Sequence, residues 1–358
     1  MNVLDYSSWT VMAVLMPAFK RASRSGRFSV GSGDLLLDFC RRLGGNLPLL
    51  RSILRSNISA FVGASFDNEG KGGTVELLSS YVARALLREV SREGSDFLIG
   101  EQPAVLPGWT AGAVQVLANA RSMSVERGLP WVGDREVLLA LLASEGTTAS
   151  ALVTRSGVDR GELLSEVGRL KPFQGKHPWA PAVDSLERTG FLRVNVVSRL
   201  LMWPITVLSW KVDGPRSGLL TTLEDEAVRQ AVREGSADVQ FEHIVLAAAS
   251  ILHQLALSEI PEPEELRSSR PILDGYGLSY ADLIRRLVAR AGSALSASAG
   301  ESLTIPARPP VASPEVETAF EQSRGRVAQG ASYPEVLEQL FAMPQAKSAI
   351  STLTADQP

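Results

Sequence analysis

Three features of the sequence predict an all-α fold. Aromatic residues are scarce, at 6% of 358 positions. Apolar residues recur at spacings of three and four, the period of a helix face turned toward a core. Few segments alternate with period 2, and no β-branched run is bounded by hairpin turns. Ala111, Val114, Leu117 and Ala118 make one helical face, Val137, Leu138, Leu141 and Leu142 a second, and Leu163, Leu164 and Val167 a third. The stretch from Thr74 to Val90 reads as a further helix.

Helix starts are well marked. Asp159 is followed three residues later by Glu162, and Ser279 by Asp282. Each pair reads as an N-cap with an acidic N3 residue that reaches back to free backbone N–H groups. A glycine precedes each cap by two residues, at Gly157 and Gly277. The same order of turn, cap and apolar helix at distant places predicts an internal repeat. Similar segments begin at Val30 (Val-Gly-Ser-Gly-Asp-Leu-Leu-Leu), Val132 (Val-Gly-Asp-Arg-Glu-Val-Leu-Leu) and Val239 (Val-Gln-Phe-Glu-His-Ile-Val-Leu). A weaker one begins at Ala331 (Ala-Ser-Tyr-Pro-Glu-Val-Leu). They recur at intervals of roughly 100 residues, longer than one compact helical unit needs, so extra helices or loops separate the copies.

At ~100–200 residues per domain, two domains are expected. The expected units cover about 9–57 and 109–168 in a first domain, 1–170, and about 223–290 and 314–355 in a second, 223–358. Residues 171–222 between them read as a linker with an apolar helix. A Ser-, Ala-, Gly- and Pro-rich stretch from Ser293 to Pro314 reads as a low-complexity linker.

Composition excludes several functions. A net charge of −3 gives no basic surface for tracking phosphates, so nucleic acid is not an expected partner. The single cysteine, Cys40, forbids an internal disulfide framework. It follows Phe39 on an apolar helix and reads as core rather than nucleophile. The apolar stretch from Trp9 to Phe19 meets its first positive charge only at Lys20, the reverse of a secretory leader. Arg193, Asn195, Arg199 and Pro204 interrupt the apolar stretch from Phe191 to Trp210, so it reads as a buried or linker-docking helix rather than a bilayer span. A cytoplasmic protein is expected. The three histidines, His177, His243 and His253, stand at no metal-ligand spacing, so neither a metal nor another cofactor is expected. Gly70-Lys71-Gly72-Gly73 lacks the hydroxyl that a phosphate-binding loop places after its lysine, and reads as a loop.

Gly133-Asp134-Arg135-Glu136-Val137-Leu138-Leu139-Ala140-Leu141-Leu142, followed by Gly157-Val158-Asp159, resembles the N-terminal repeat domain of Clp-family unfoldases. In that family an Ala-rich helix and a turn precede a capped helix with the pattern Gly-Thr-Glu-His-Ile-Leu-Leu-Gly-Leu. The resemblance implies a pseudo-twofold, eight-helix domain made of two repeats, present twice here. The Glu-His pair survives as Glu242-His243; Gly33-Asp34, Arg135-Glu136 and Pro334-Glu335 stand at its place in the other units. In some relatives the acidic member helps bind phosphoarginine, and only Glu242 matches it. His243 reads first as a residue that orients its own helix start. No nucleotide-binding loop is visible, so the resemblance implies a binding protein without the motor. The implied partners are a Clp unfoldase or its client peptides. The other reading is a helical scaffold that holds partners unrelated to Clp.

The candidate binding residues are therefore Glu242, His243 and Glu136, joined by Trp203 and Trp210. The tryptophans either close over a hydrophobic groove or offer a face to a partner, whereas Trp131, just before a helix start, reads as core. Replacing Trp203 and Trp210 with alanine leaves far-UV circular dichroism near wild type if they belong to a surface groove. A large loss of helicity places them in the core instead.

Overall fold

A computed structural model describes residues 6–63, 76–96, 106–175, 179–192, 217–292, 302–305 and 308–355. Helix dominates it, and the only strands among the described residues are two residues long, so the chain is all-α. It forms two compact units, one of residues 1–179 with 288–308, the other of residues 180–287 with 309–358. No single helix among the described residues is long and apolar enough to cross a membrane.

The first unit opens with α1 (Ser8–Thr10), a π-helical turn (Val11–Leu15) and α2 (Met16–Arg24). Strand β1 (Ser29–Val30) leads into α3 (Ser32–Leu43) and α4 (Pro48–Gly63), and α5 (Leu77–Asp96) follows. Strand β2 (Gly108–Trp109) leads into α6 (Ala111–Glu126), α7 (Asp134–Ala143), α8 (Thr148–Ser156) and α9 (Arg160–Gly168). The strands pair in parallel, Ser29 with Gly108 and Val30 with Trp109, so α3 and α6 leave the pair side by side. A second parallel bridge joins Tyr6, just before α1, to Val132, just before α7. The stretches that precede α1 and α3 thus pair with those that precede α7 and α6. Two-residue strands add little stability alone, but they satisfy backbone groups buried with the core. That core holds Tyr6, Phe19, Phe39 and Trp109, all fully buried. The Trp109 ring stacks on Phe19 with centroids 6.2 Å apart, and its Nε1 donates to Ser91 Oγ at 2.7 Å. Cys40 is buried there too, and desolvation pushes its thiol up to about 12, which disfavours the nucleophilic thiolate.

The second unit begins with α10 (Pro181–Arg188), inside the stretch expected to be linker. Then come α11 (Ser217–Glu234), β3 (Asp238–Val239), α12 (Phe241–Leu257), α13 (Glu264–Gly275) and α14 (Tyr280–Arg290). The chain closes with β4 (Val311–Ala312), α15 (Pro314–Ala328), α16 (Tyr333–Ala342) and α17 (Pro344–Thr354). Here β3 pairs in parallel with β4, Asp238 with Val311 and Val239 with Ala312. The strands again precede two helices, α12 and α15.

Helix α12 is apolar on nearly every side and is the central helix of this unit, packing on α10, α11 and α17. Two of its polar residues, Ser250 and Gln254, meet one acid. Glu226 of α11 is fully buried, and its Oε1 accepts from Gln230 Nε2 (2.7 Å), Ser250 Oγ (2.6 Å) and Gln254 Nε2 (3.0 Å). Its Oε2 pairs with Arg229. Gln254 extends the network by accepting the Ala182 N–H at 2.8 Å, which fastens the start of α10. That bond and the packing of α10 explain why residues 180–192 belong to the second unit rather than to a linker.

A buried carboxylate is tolerated only when its lone pairs are filled. Glu226→Ala strands several donors and one cation around a cavity. It is expected to cost roughly 3–5 kcal/mol. In urea titrations followed by circular dichroism, the transition of the second unit should move to lower urea. An unchanged transition would show that the network contributes nothing.

Candidate functional site

The four positions that stand for the Glu-His pair all lie in the first turn of a helix. The second member of each is the N3 residue. In α3, Asp34 Oδ2 accepts the Gly31 N–H at 3.0 Å, and Arg27 grips the same carboxylate at 2.7 and 3.1 Å. In α12, His243 Nδ1 accepts the Gln240 N–H at 2.8 Å. In α16, Glu335 Oε2 accepts the Ser332 N–H at 2.8 Å. In α7, Glu136 is fully buried behind Gly133; burial raises its pKa, opposed by the backbone N–H groups of Glu136 and Gly133 and by Arg135 and Arg127. Those two guanidinium groups stand 3.9 and 3.8 Å from its Oε1. Each N3 side chain thus lies at a helix start whose N–H groups lack intrahelical partners.

Helix α12 swaps the chemistry. An imidazole replaces the acid at N3, and its Nε2 lies 3.2 Å from Glu234 Oε2 at the end of α11. Glu234, Glu242 and His243 each offer one ligand atom within 4.8 Å of the others. The donor set nevertheless favours a proton over a metal. Nδ1 accepts a backbone N–H, so the neutral ring carries its own proton on Nε2, facing Glu234. A metal at Nε2 would need the opposite arrangement, with Nδ1 protonated and donating. His243 is therefore built as a cap.

The first turn of α12 borders a groove of about 340 Å³ in the second unit. Phe241, Pro314, Ala319 and Met343 give it apolar walls; Glu315, Thr318, Gln322 and Gln345 give it polar ones. These residues come from the first turns of α12 and α17, the first turns of α15 as far as Gln322, and the Met343 N-cap. Three helix starts open on one place, each with the positive end of its dipole. Ser313 Oγ caps Val316 N–H in α15, while no side chain caps α17. Thr318 and Gln322 are exposed one turn apart along α15 and face the groove together. The arrangement suits an apolar side chain flanked by polar backbone, the chemistry of a peptide. No local signal in the sequence announces this groove, because it is built from three separate helix starts.

Of the residues singled out from sequence, Glu242 and His243 come together beside Glu234. Glu136 stands in the first unit, at the equivalent N3 position of α7. Trp203, Trp210 and His177 lie outside the described residues. Trp131 is half-buried rather than in the core. No family model, curated protein or solved structure matches this chain.

His253 supplies a pH dependence. Its ring lies 5.2 Å from the Tyr280 ring, and burial, reinforced by Arg233, lowers its pKa from 6.5 to about 4. Between those values the unfolded chain takes up a proton that the folded chain refuses, so stability falls as pH drops from 6.5 toward 4. The loss at the acid end is at most about 3 kcal/mol. His253→Gln is expected to flatten this part of the stability–pH curve relative to wild type. Parallel curves for the two proteins would rule the effect out.

Proposed function

We propose that this chain is a non-catalytic protein- or peptide-binding accessory of the Clp protease system, acting as an adaptor for clients or as a decoy of the unfoldase's N-terminal domain. The observation that carries the reading is the groove at the starts of α12, α15 and α17, whose wall includes Phe241, the residue before Glu242 in sequence. Glu242 is the one residue that matches the acidic member of the family's Glu-His pair. The resemblance covers most of the chain, and the order of its helices, Ala-rich helix, turn, capped helix, agrees with α6 to α9. Apolar walls with a polar rim give association energy without any chemical step.

The scaffold reading has its own support. Asp34, His243 and Glu335 each cap the start of their own helix, so folding alone accounts for the motif at those three places. The two readings part in binding. Full-length chain used as bait in the native cell's lysate should enrich a Clp unfoldase or its clients. Thr318→Arg with Gln322→Arg, both on the exposed side of α15, should fill the groove and reduce that recovery about tenfold while leaving helicity intact. Recovery of a different stable complex, unaffected by the arginines, would favour the scaffold and overturn the Clp reading.

A further inference from the structure

Strand β2 has a second edge. On one side Gly108 N–H and Thr110 N–H donate to Phe28 O and Val30 O of the β1 stretch at 2.9 and 3.0 Å. On the other side both backbone groups of Trp109 are taken by one residue far along the chain. Trp109 N–H donates to Leu303 O at 2.9 Å, and Leu303 N–H donates to Trp109 O at 2.7 Å, an antiparallel bridge. Around it the exposure alternates as in a strand. Ser302 and Thr304 are exposed, while Leu303 and Ile305 are 3% and 8% exposed. The donor segment lies within the Ser-, Ala-, Gly- and Pro-rich stretch between α14 and β4.

Close approach at this edge depends on a glycine. A Cβ on Gly108 would stand 2.8 Å from Leu303 O. The second unit provides an internal control. In register, Val311 holds the place of Gly108 and Ala312 that of Trp109. Val311 carries the Cβ that would collide, it is 66% exposed, and among the described residues no third strand joins β4.

We propose that the outer edge of β2 is a strand-addition site for extended polypeptide with apolar residues two apart, and that residues 302–305 occupy it in cis as a built-in competitor. Main-chain pairing with Trp109 supplies the affinity, and the burial of alternate side chains sets the preference. A buried tryptophan with both backbone groups unpaired is costly, so the edge is filled, by the chain's own segment or by one in trans. Tethering gives the cis segment a high effective concentration, so a foreign segment binds well only once the cis segment is displaced. The site is independent of the groove in the second unit, so failure to bind a Clp component leaves it standing.

The test uses full-length protein and a fluorescent ten-residue peptide spanning residues 299–308. Leu303→Asp with Ile305→Asp releases the cis segment. The released protein should bind the peptide saturably and about tenfold or more tightly than wild type does. Adding Gly108→Val should abolish that binding, and a peptide with aspartate at both apolar positions should not bind. In wild type, hydrogen exchange at the Trp109 and Leu303 amides should be faster than in the core of α6, since release of the segment is a local opening. Loss of helicity in the released protein, absence of peptide binding by it, or exchange of the two amides at the rate of the α6 core would each overturn the proposal.

Discussion

Burying the start of a helix leaves up to four backbone N–H groups without partners, and this molecule does so repeatedly. Ser32, Asp34, Glu136 and His243 are all within a first turn and almost fully buried. Water cannot reach such places to repair the loss, so each must carry its own acceptors. The N3 side chains supply some and the short parallel strands supply others. Because the strands end where the helices begin, one pair of two-residue strands fixes the position and direction of two helices at once. The rest of the packing follows from those paired starts.

The same constraint explains why side chains as different as aspartate, glutamate and histidine hold one position. What the position requires is an acceptor at a given reach. A carboxylate meets it with a cation behind, as Arg27 stands behind Asp34. An imidazole meets it with Nδ1 and then needs an acceptor for the proton on Nε2, which Glu234 provides. The sign of the supporting charge inverts with the cap, and the backbone bond is kept. A motif that looks like a ligand-binding pair in one copy is therefore first a solution to helix capping. Binding specificity has to come from its neighbours, such as the residue at N2 or the groove wall.

Local features were legible in the sequence. Asp159 does cap α9, its Oδ1 accepting the Glu162 N–H at 2.7 Å, and Gly157 does adopt the left-handed conformation. Both depend only on near neighbours. The all-helical class was legible for the same reason, since periodicity is local. Features that depend on distant partners were not. Nothing local in the Leu-Glu-Asp-Glu-Ala stretch of α11 marks Glu226 as a buried acid, because Ser250 and Gln254 arrive from a helix 24 and 28 residues away. The boundary at 180 was invisible because it depends on distant partners, with the Ala182 N–H reaching the Gln254 side chain and α10 packing on α11 and α12. The groove was invisible because none of its three helix starts contains it.

The strand pairs of the two units treat their outer edges differently. Their strand pairs share a register, so a single substitution can be compared across them. Glycine at 108 lets a third strand approach; valine at 311 excludes it by one Cβ. The difference cannot be a matter of core packing, because Val311 is mostly exposed and a side chain there gains little burial. Its effect is to block an edge that would otherwise present unpaired backbone, a common way to protect a strand from unwanted pairing. In the first unit the edge is left open to backbone approach and covered by a segment of the same chain. An edge covered by a tethered strand can be uncovered again, and an edge blocked by a side chain cannot, so of the two only the edge at Trp109 retains the capacity for exchange.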